Sequence, residues 1–126
     1  VQLQALIVGN SDRIGLAATR RLLAAGWNTT GISRSESPIT KKNYHHHIAD
    51  VSDSNYLELL HNLLFEYYFD LCIYFVGIGE LLDLTDMRDE PRVIDVNLNG
   101  MVRTAATVIP QMVKRGRPLH RRFKPG

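Results

Sequence analysis

The chain has 126 residues, enough for one domain with its own core. Hydrophobic residues make up 44% and charged residues 22%, a balance that excludes an extended disordered protein and fits a globular one. The formal net charge is +2, but residues 114–126 hold six of the 15 basic residues and none of the 13 acids, so an acidic body carries a basic tail.

No stretch approaches the ~20 apolar residues that span a bilayer, and no basic-then-apolar leader opens the chain. The one cysteine, Cys72, has no internal partner for a disulfide. A reducing, cytoplasmic setting without membrane attachment is therefore expected.

Residues 4–9 read as a buried first strand ending in Gly9. Residues 12–25 read as a helix, with Ile14, Ala17, Ala18 and Leu22 at helical spacing and Arg20 and Arg21 facing water. Between them lies the short polar turn Asn10-Ser11-Asp12, and the helix is entered at a second glycine, Gly15. A helix start presents unpaired N–H groups and the positive end of a dipole, and glycine lets the backbone approach an anion. The turn is expected to hold the pyrophosphate of a dinucleotide. The plain alternative is a strand, turn and helix with glycine present for packing.

Residues 27–33 predict a second strand rich in β-branched residues. Ser33 and Arg34 stand where a dinucleotide fold meets the adenosine ribose, and no acid adjoins them. An acid there accepts from a 2′-hydroxyl, whereas an arginine suits a 2′-phosphate. The reading favours NADP over NAD, against the alternative of a solvated loop charge.

Residues 44–49 predict a third strand containing His45-His46-His47. Strand alternation lets at most His45 and His47 converge, so an edge strand is expected here and no metal site. Residues 54–67 read as a helix with Leu57, Leu60, Leu64 and Tyr68 on one face. Tyr56, Phe65, Tyr67 and Tyr68 read as packing, because no basic residues interleave with them.

Residues 70–77 predict a fourth, apolar strand, and Ile78-Gly79 opens a loop at its carboxyl end. Ligands of open α/β sheets sit at such ends. Residues 91–115 read as a long helix with Val93, Val96, Met101, Ala105, Val108 and Met112 inward, kinked or broken at Pro110. Asn97 lies within it, either facing inward for a reason or exposed. From residue 117 the periodicity stops. The expected division is a domain over residues 1–116 and a disordered basic tail over 117–126.

These landmarks resemble the short-chain dehydrogenase/reductase family. Its Thr-Gly-x-x-x-Gly-x-Gly turn becomes Val8-Gly9-Asn10-Ser11-Asp12-Arg13-Ile14-Gly15, with Arg13 in place of the middle glycine. Its Asp-Val after strand three matches Asp50-Val51. Its Asn-Asn-Ala-Gly aligns with Tyr74-Phe75-Val76-Gly77, where only the glycine remains. Its Val-Asn-Leu-x-Gly matches Val96-Asn97-Leu98-Asn99-Gly100, and its Leu-Pro-x-Met is similar to Ile109-Pro110-Gln111-Met112.

The resemblance implies a three-layer, doubly wound parallel α/β sheet of the Rossmann kind, incomplete, in strand order 3-2-1-4. It implies hydride transfer between NADP(H) and a carbonyl or alcohol. Gly9, Ser11, Arg13, Ile14 and Gly15 would cradle the pyrophosphate and adenosine ribose, and Ser33 and Arg34 would meet the 2′-phosphate. Asp50 and Val51 would flank adenine, with Val76 and Gly77 near its ribose. The asparagines replaced by Tyr74 and Phe75 help brace the family's sheet beside the cofactor.

Of the family's catalytic set only Asn97 maps, because no tyrosine here has a lysine four residues on. The expectation is an inactive, truncated or frameshifted reductase. One codon choice for residues 117–126, slipped by one base, reads Gly-His-Phe-Ile-Gly-Val-Ser-Ser-Gln, an apolar strand ending in serine. Strand four would be an uncovered edge, open to self-association. The alternatives are a non-catalytic NADP(H)-binding regulatory module, or an interaction protein whose basic tail meets nucleic acid, ranked last because the tail carries no motif.

Overall fold

The computed structural model describes residues 2–76, 85, 86 and 88–114. At its centre is β1 (Gln4–Val8), where Ala5, Leu6, Ile7 and Val8 have no exposed surface. A continuous apolar run suits a strand covered on both faces. Parallel to it lie β2 (Asn28–Ser33) on one side and β4 (Leu71–Tyr74) on the other, with β3 (Tyr44–Ile48) beyond β2. The order β3-β2-β1-β4 is the expected one. Val8 pairs with both Ile32 and Tyr74, so three strands finish at one level.

Alternation along β1 puts Leu6 and Val8 on one face. There they join Ile32, Val51 and Phe69 in the larger core, with Tyr56, Leu60, Leu63 and Leu64 of α2 (Tyr56–Glu66) and Val108 of α4 (Gly100–Lys114). The smaller core joins Leu16 and Leu23 of α1 (Arg13–Ala24) to Ile39 and Tyr44. Helices flank the sheet in the manner of a doubly wound α/β domain. Ahead of α4 the chain passes through α3 (Glu90–Ile94) and a π-helical turn, Asp95–Asn99.

Helix α1 buries a different face from the one its apolar residues predict, whereas Leu60 and Leu64 of α2, and Val96 and Val108 farther on, are buried as expected. In α1 the buried residues are Gly15, Thr19 and Leu23, while Ile14 is 71% exposed. Gly15 sits against the Gly9 carbonyl, where any Cβ would collide, and this close approach selects the inward face. In α2 the buried set is Tyr56, Leu60, Leu63 and Leu64; the helix ends at Glu66, so Tyr68 leaves that face and is exposed.

In α4 the buried residues are Gly100, Thr104 and Val108, and Met101 is exposed. Thr104 Oγ1 lies 2.7 Å from the Tyr56 hydroxyl, which ties α4 to α2. Pro110 lies inside α4, which continues to Lys114 and is not ended there. β4 is shorter than predicted, four residues, all half-buried, because it is an edge of the described sheet.

His45 stacks on Tyr67 while His46 turns to Tyr44 on the opposite side, as strand alternation requires. Among the described residues no group of three or more His, Cys, Asp or Glu side chains gathers to hold a metal. No helix among them is long and apolar enough to cross a membrane.

Candidate functional site

The common ending of β1, β2 and β4 opens a cleft of about 500 Å³, within the size range of small-molecule sites. Its floor is the turn after β1. Gly9 has φ +88°, in the left-handed region open to glycine, and donates its N–H to the Ile32 carbonyl at 2.7 Å. A Cβ on Gly9 would lie 2.8 Å from Val76, so the turn and the end of β4 meet only because that carbon is missing.

Helix α1 starts at Arg13 behind the extended residue Asp12, whose side chain makes no capping bond. The first N–H groups of α1 therefore have no side-chain acceptor from the N-cap, at a place where the cleft is lined by Ser11, Asp12, Arg13, Ile14 and Gly15. Arg13 has φ +48°. It holds the left-handed conformation that a glycine would adopt freely, and the residue is part of the cleft lining.

The second wall is Ser33, Arg34 and Ser35, with the Ser33 hydroxyl donating to the Ser35 carbonyl at 2.6 Å. The third is Ala49, Asp50 and Val51, joined to the second by the bond from Ala49 N–H to the Ser33 carbonyl at 2.9 Å. Asp50 Oδ1 accepts from the Ser52 N–H at 2.9 Å and from the Ser52 hydroxyl at 2.7 Å. Arg92, from α3, reaches Asp50 Oδ2 at 3.4 Å. Burial pushes the Asp50 carboxyl up, but the Ser52 bonds and Arg92 together outweigh it and hold the pKa below the ordinary value.

Ten residues named from sequence thus line one cleft: Gly9, Ser11, Arg13, Ile14, Gly15, Ser33, Arg34, Asp50, Val51 and Val76. Gly77 lies outside the described residues. Asn97 is half-buried on the π-helical turn and is not part of the lining, although its neighbour Val96 is. Asp12, Ser35 and Arg92 also line the cleft and were not anticipated. Asp12 and Ser35 adjoin anticipated positions, whereas nothing local in sequence brings Arg92 to Asp50.

At the end of β4, one of the positions where the resemblance leads one to expect asparagine carries Tyr74. The Tyr74 hydroxyl donates to the Val96 carbonyl at 2.8 Å, joining the end of β4 to the π-helical turn. Such a turn departs from the α-helical ladder, and an outside donor can take up one of its carbonyls. Burial raises the Tyr74 pKa to about 12, so the hydroxyl keeps its proton at neutral pH.

Three arginines, two aspartates and a glycine-bounded turn thus line one cleft. Such a surface suits a ligand with anionic groups at one end and hydrogen-bonding groups at the other. The family model for short chain dehydrogenases matches residues 4–118. The chain belongs to the short-chain dehydrogenase family. No curated protein matches it significantly.

Among solved structures, short-chain dehydrogenase from Leptospira borgpetersenii serovar Hardjo-bovis with bound NAD+ is 18% identical, with a TM-score of 0.79 over 90% of this chain and 47% of its own. Aldohexose dehydrogenase from Thermoplasma acidophilum, ligand-free, is 25% identical, with a TM-score of 0.80 over 92% of this chain and 46% of its own. ElxO with NADP bound is 19% identical, with a TM-score of 0.79 over 91% of this chain and 52% of its own. This short-chain dehydrogenase chain spans about half the length of the solved structures it matches.

Proposed function

We propose that residues 1–116 form the dinucleotide-binding domain of a short-chain dehydrogenase/reductase and take NADP(H) in preference to NAD(H). The observation that carries this reading is the convergence of Gly9, Arg13, Gly15, Arg34 and Asp50, distant in sequence, on a single cleft. The site fits the group: the backbone turns sharply at Gly9, the N-cap side chain makes no bond to the first donors of α1, and Ser33-Arg34-Ser35 brings an arginine to the cleft wall.

In this reading Gly9, Ser11, Arg13, Ile14 and Gly15 hold the pyrophosphate and the adenosine ribose. Ser33 and Arg34 take the 2′-phosphate, Asp50 and Val51 flank adenine, and Val76 and Gly77 border its ribose. When bound, the dinucleotide supplies hydride chemistry toward a carbonyl or alcohol. Asn97 is the one residue assigned to the catalytic set. In this reading the 126-residue polypeptide, which holds no Tyr-x-x-x-Lys, binds the cofactor without turning over. A regulatory NADP(H)-binding module would use the same cleft.

Cys72 is a free thiol, which accords with a reducing, cytosolic setting. The outer edge of β4 is the place where a second copy would pair, and light scattering of the 126-residue chain tests this. The functional test is fluorescence titration with NADPH and NADH, using Arg34→Ala as the control. NADPH binds tighter in the native chain, and Arg34→Ala weakens NADPH by about tenfold, the scale of a charge-assisted contact, with little change for NADH. Binding of neither dinucleotide at millimolar concentration overturns the reading.

A further inference from the structure

A line of hydrogen bonds runs behind the cleft, from the turn after β1 to the turn after β2. Thr19 Oγ1 donates to the Gly15 carbonyl at 2.7 Å and accepts from Asn10 Nδ2 at 3.1 Å. Asn10 Nδ2 also donates to the Tyr44 hydroxyl oxygen at 2.8 Å. That hydroxyl lies 2.6 Å from His46 Nδ1. His46 Nε2 lies 2.8 Å from the Ser35 carbonyl and 3.0 Å from the Ser33 hydroxyl.

One polarity accounts for each bond of the line. The Ser35 carbonyl can only accept, so His46 carries its proton on Nε2. Nδ1 then accepts from the Tyr44 hydroxyl, whose oxygen in turn accepts from the Asn10 amide. Both Asn10 amide hydrogens are used, and Asn10 Oδ1 is left buried without a partner. The line is also tightly packed. Asn10 and Thr19 have no exposed surface, and a Cβ on Gly31 would strike both the Tyr44 hydroxyl and the Asn10 amide. Burial raises the Tyr44 pKa against the opposing bonds from Asn10 and Ser37, so the hydroxyl stays a donor.

Neither Tyr44 nor His46 lines the cleft, yet Ser33, Arg34 and Ser35 do. The loop bearing Arg34 is therefore held on both sides of that residue by His46, which Tyr44 holds in turn. We propose that Tyr44 and His46 are positioning residues for cofactor selectivity: by fixing Ser33 and Ser35 they pre-organise Arg34 for the 2′-phosphate that distinguishes NADP(H) from NAD(H). Pre-organising a charged group reduces the ordering cost of binding, and only the phosphorylated dinucleotide benefits at this wall. The proposal rests on the dinucleotide reading above and adds two residues that reach the ligand only through others.

The test uses the full 126-residue chain in four forms: native, His46→Ala, His46→Gln and Tyr44→Phe. Dissociation constants for NADPH and NADH are measured on each, and backbone and imidazole ¹⁵N spectra are recorded without ligand. His46→Ala weakens NADPH about tenfold and NADH less than about threefold, as expected for loss of pre-organisation. His46→Gln, whose amide can still donate to the Ser35 carbonyl, restores most of the preference, and Tyr44→Phe gives an intermediate loss. In the unliganded spectra native His46 shows the Nε2–H tautomer, and the Arg34 and Ser35 amides gain mobility in His46→Ala.

Equal weakening of both dinucleotides, or an unchanged NADPH to NADH ratio, overturns the role of His46 while leaving the cleft assignment intact. Failure of the native chain to bind either dinucleotide overturns the cleft assignment and the selectivity role together. The spectra then report separately whether His46 orders the loop.

Discussion

The two faces of the sheet are built on different principles. The face under α2 and α4 is a broad apolar core of eleven buried residues, with polar pairs such as Tyr56–Thr104 set into it. The face under α1 has three buried hydrophobic residues in its cluster and relies on Asn10, Thr19 and Tyr44, joined by directional bonds and seated on Gly31. Apolar packing is tolerant in direction and scales with area. A buried polar line is satisfied in one geometry only. The second face lies next to the turns that line the cleft, where exact placement matters more than bulk stability.

The sharpest way to break this contrast is a pair of core substitutions. Leu60→Ala on the apolar face removes a fully buried side chain and costs about 3 kcal/mol in urea denaturation, with dinucleotide affinity of the folded fraction unchanged. Gly31→Ala on the polar face costs about 2 kcal/mol by overpacking, and it also weakens NADPH because Asn10 and Tyr44 must move. If Gly31→Ala leaves both stability and binding untouched, the polar face is not as tightly specified as its contacts imply.

A smaller effect, of opposite sign, comes from Arg13→Gly. Relief of the left-handed backbone raises stability by about 1 kcal/mol, while NADPH binding weakens as the cleft loses a guanidinium. Loss of both stability and affinity would mean that Arg13 holds the turn together rather than straining it.

The smallest effect is a pH dependence at the third wall. The Asp50 pKa is lowered in the folded state, so its contribution is present above the unfolded value of about 3.9 and is lost as pH falls through the folded value. Ser52→Ala removes one of the bonds responsible. The stability difference between the native chain and Ser52→Ala should be present at pH 7 and shrink below about pH 4, as thermal melts across pH would show. A difference constant down to pH 2 would separate the Ser52 hydroxyl from the Asp50 charge.

Much of the site was legible because its parts are local. The turn from Gly9 to Gly15 is a strand end, a turn and a helix start within a few residues, and each is marked by its own chemistry. Ser33-Arg34 and Asp50-Val51 follow strands that could themselves be read from their residues. What resisted reading was contact between distant segments. Arg92 meets Asp50 across 42 residues, and Tyr74 meets the Val96 carbonyl across 22. The inward face of α1 was misjudged for a related reason: hydrophobic spacing favours Ile14, but backbone approach at Gly15 decides the orientation.

By itself, the sequence determined the parallel α/β sheet, its strand order, the family and the stretches that border the cleft. The individual strands and turns follow from runs of apolar residues and from glycine at sharp turns, whereas the strand order and the family come from the motifs that resemble short-chain dehydrogenases. Only the tertiary structure decided which face of α1 turns inward, that the Tyr74 hydroxyl reaches the Val96 carbonyl, and that Tyr44 and His46 join one turn to the next. Hydrogen bonds and close approaches depend on ångström-level distances between residues far apart in the chain, and no local pattern encodes them.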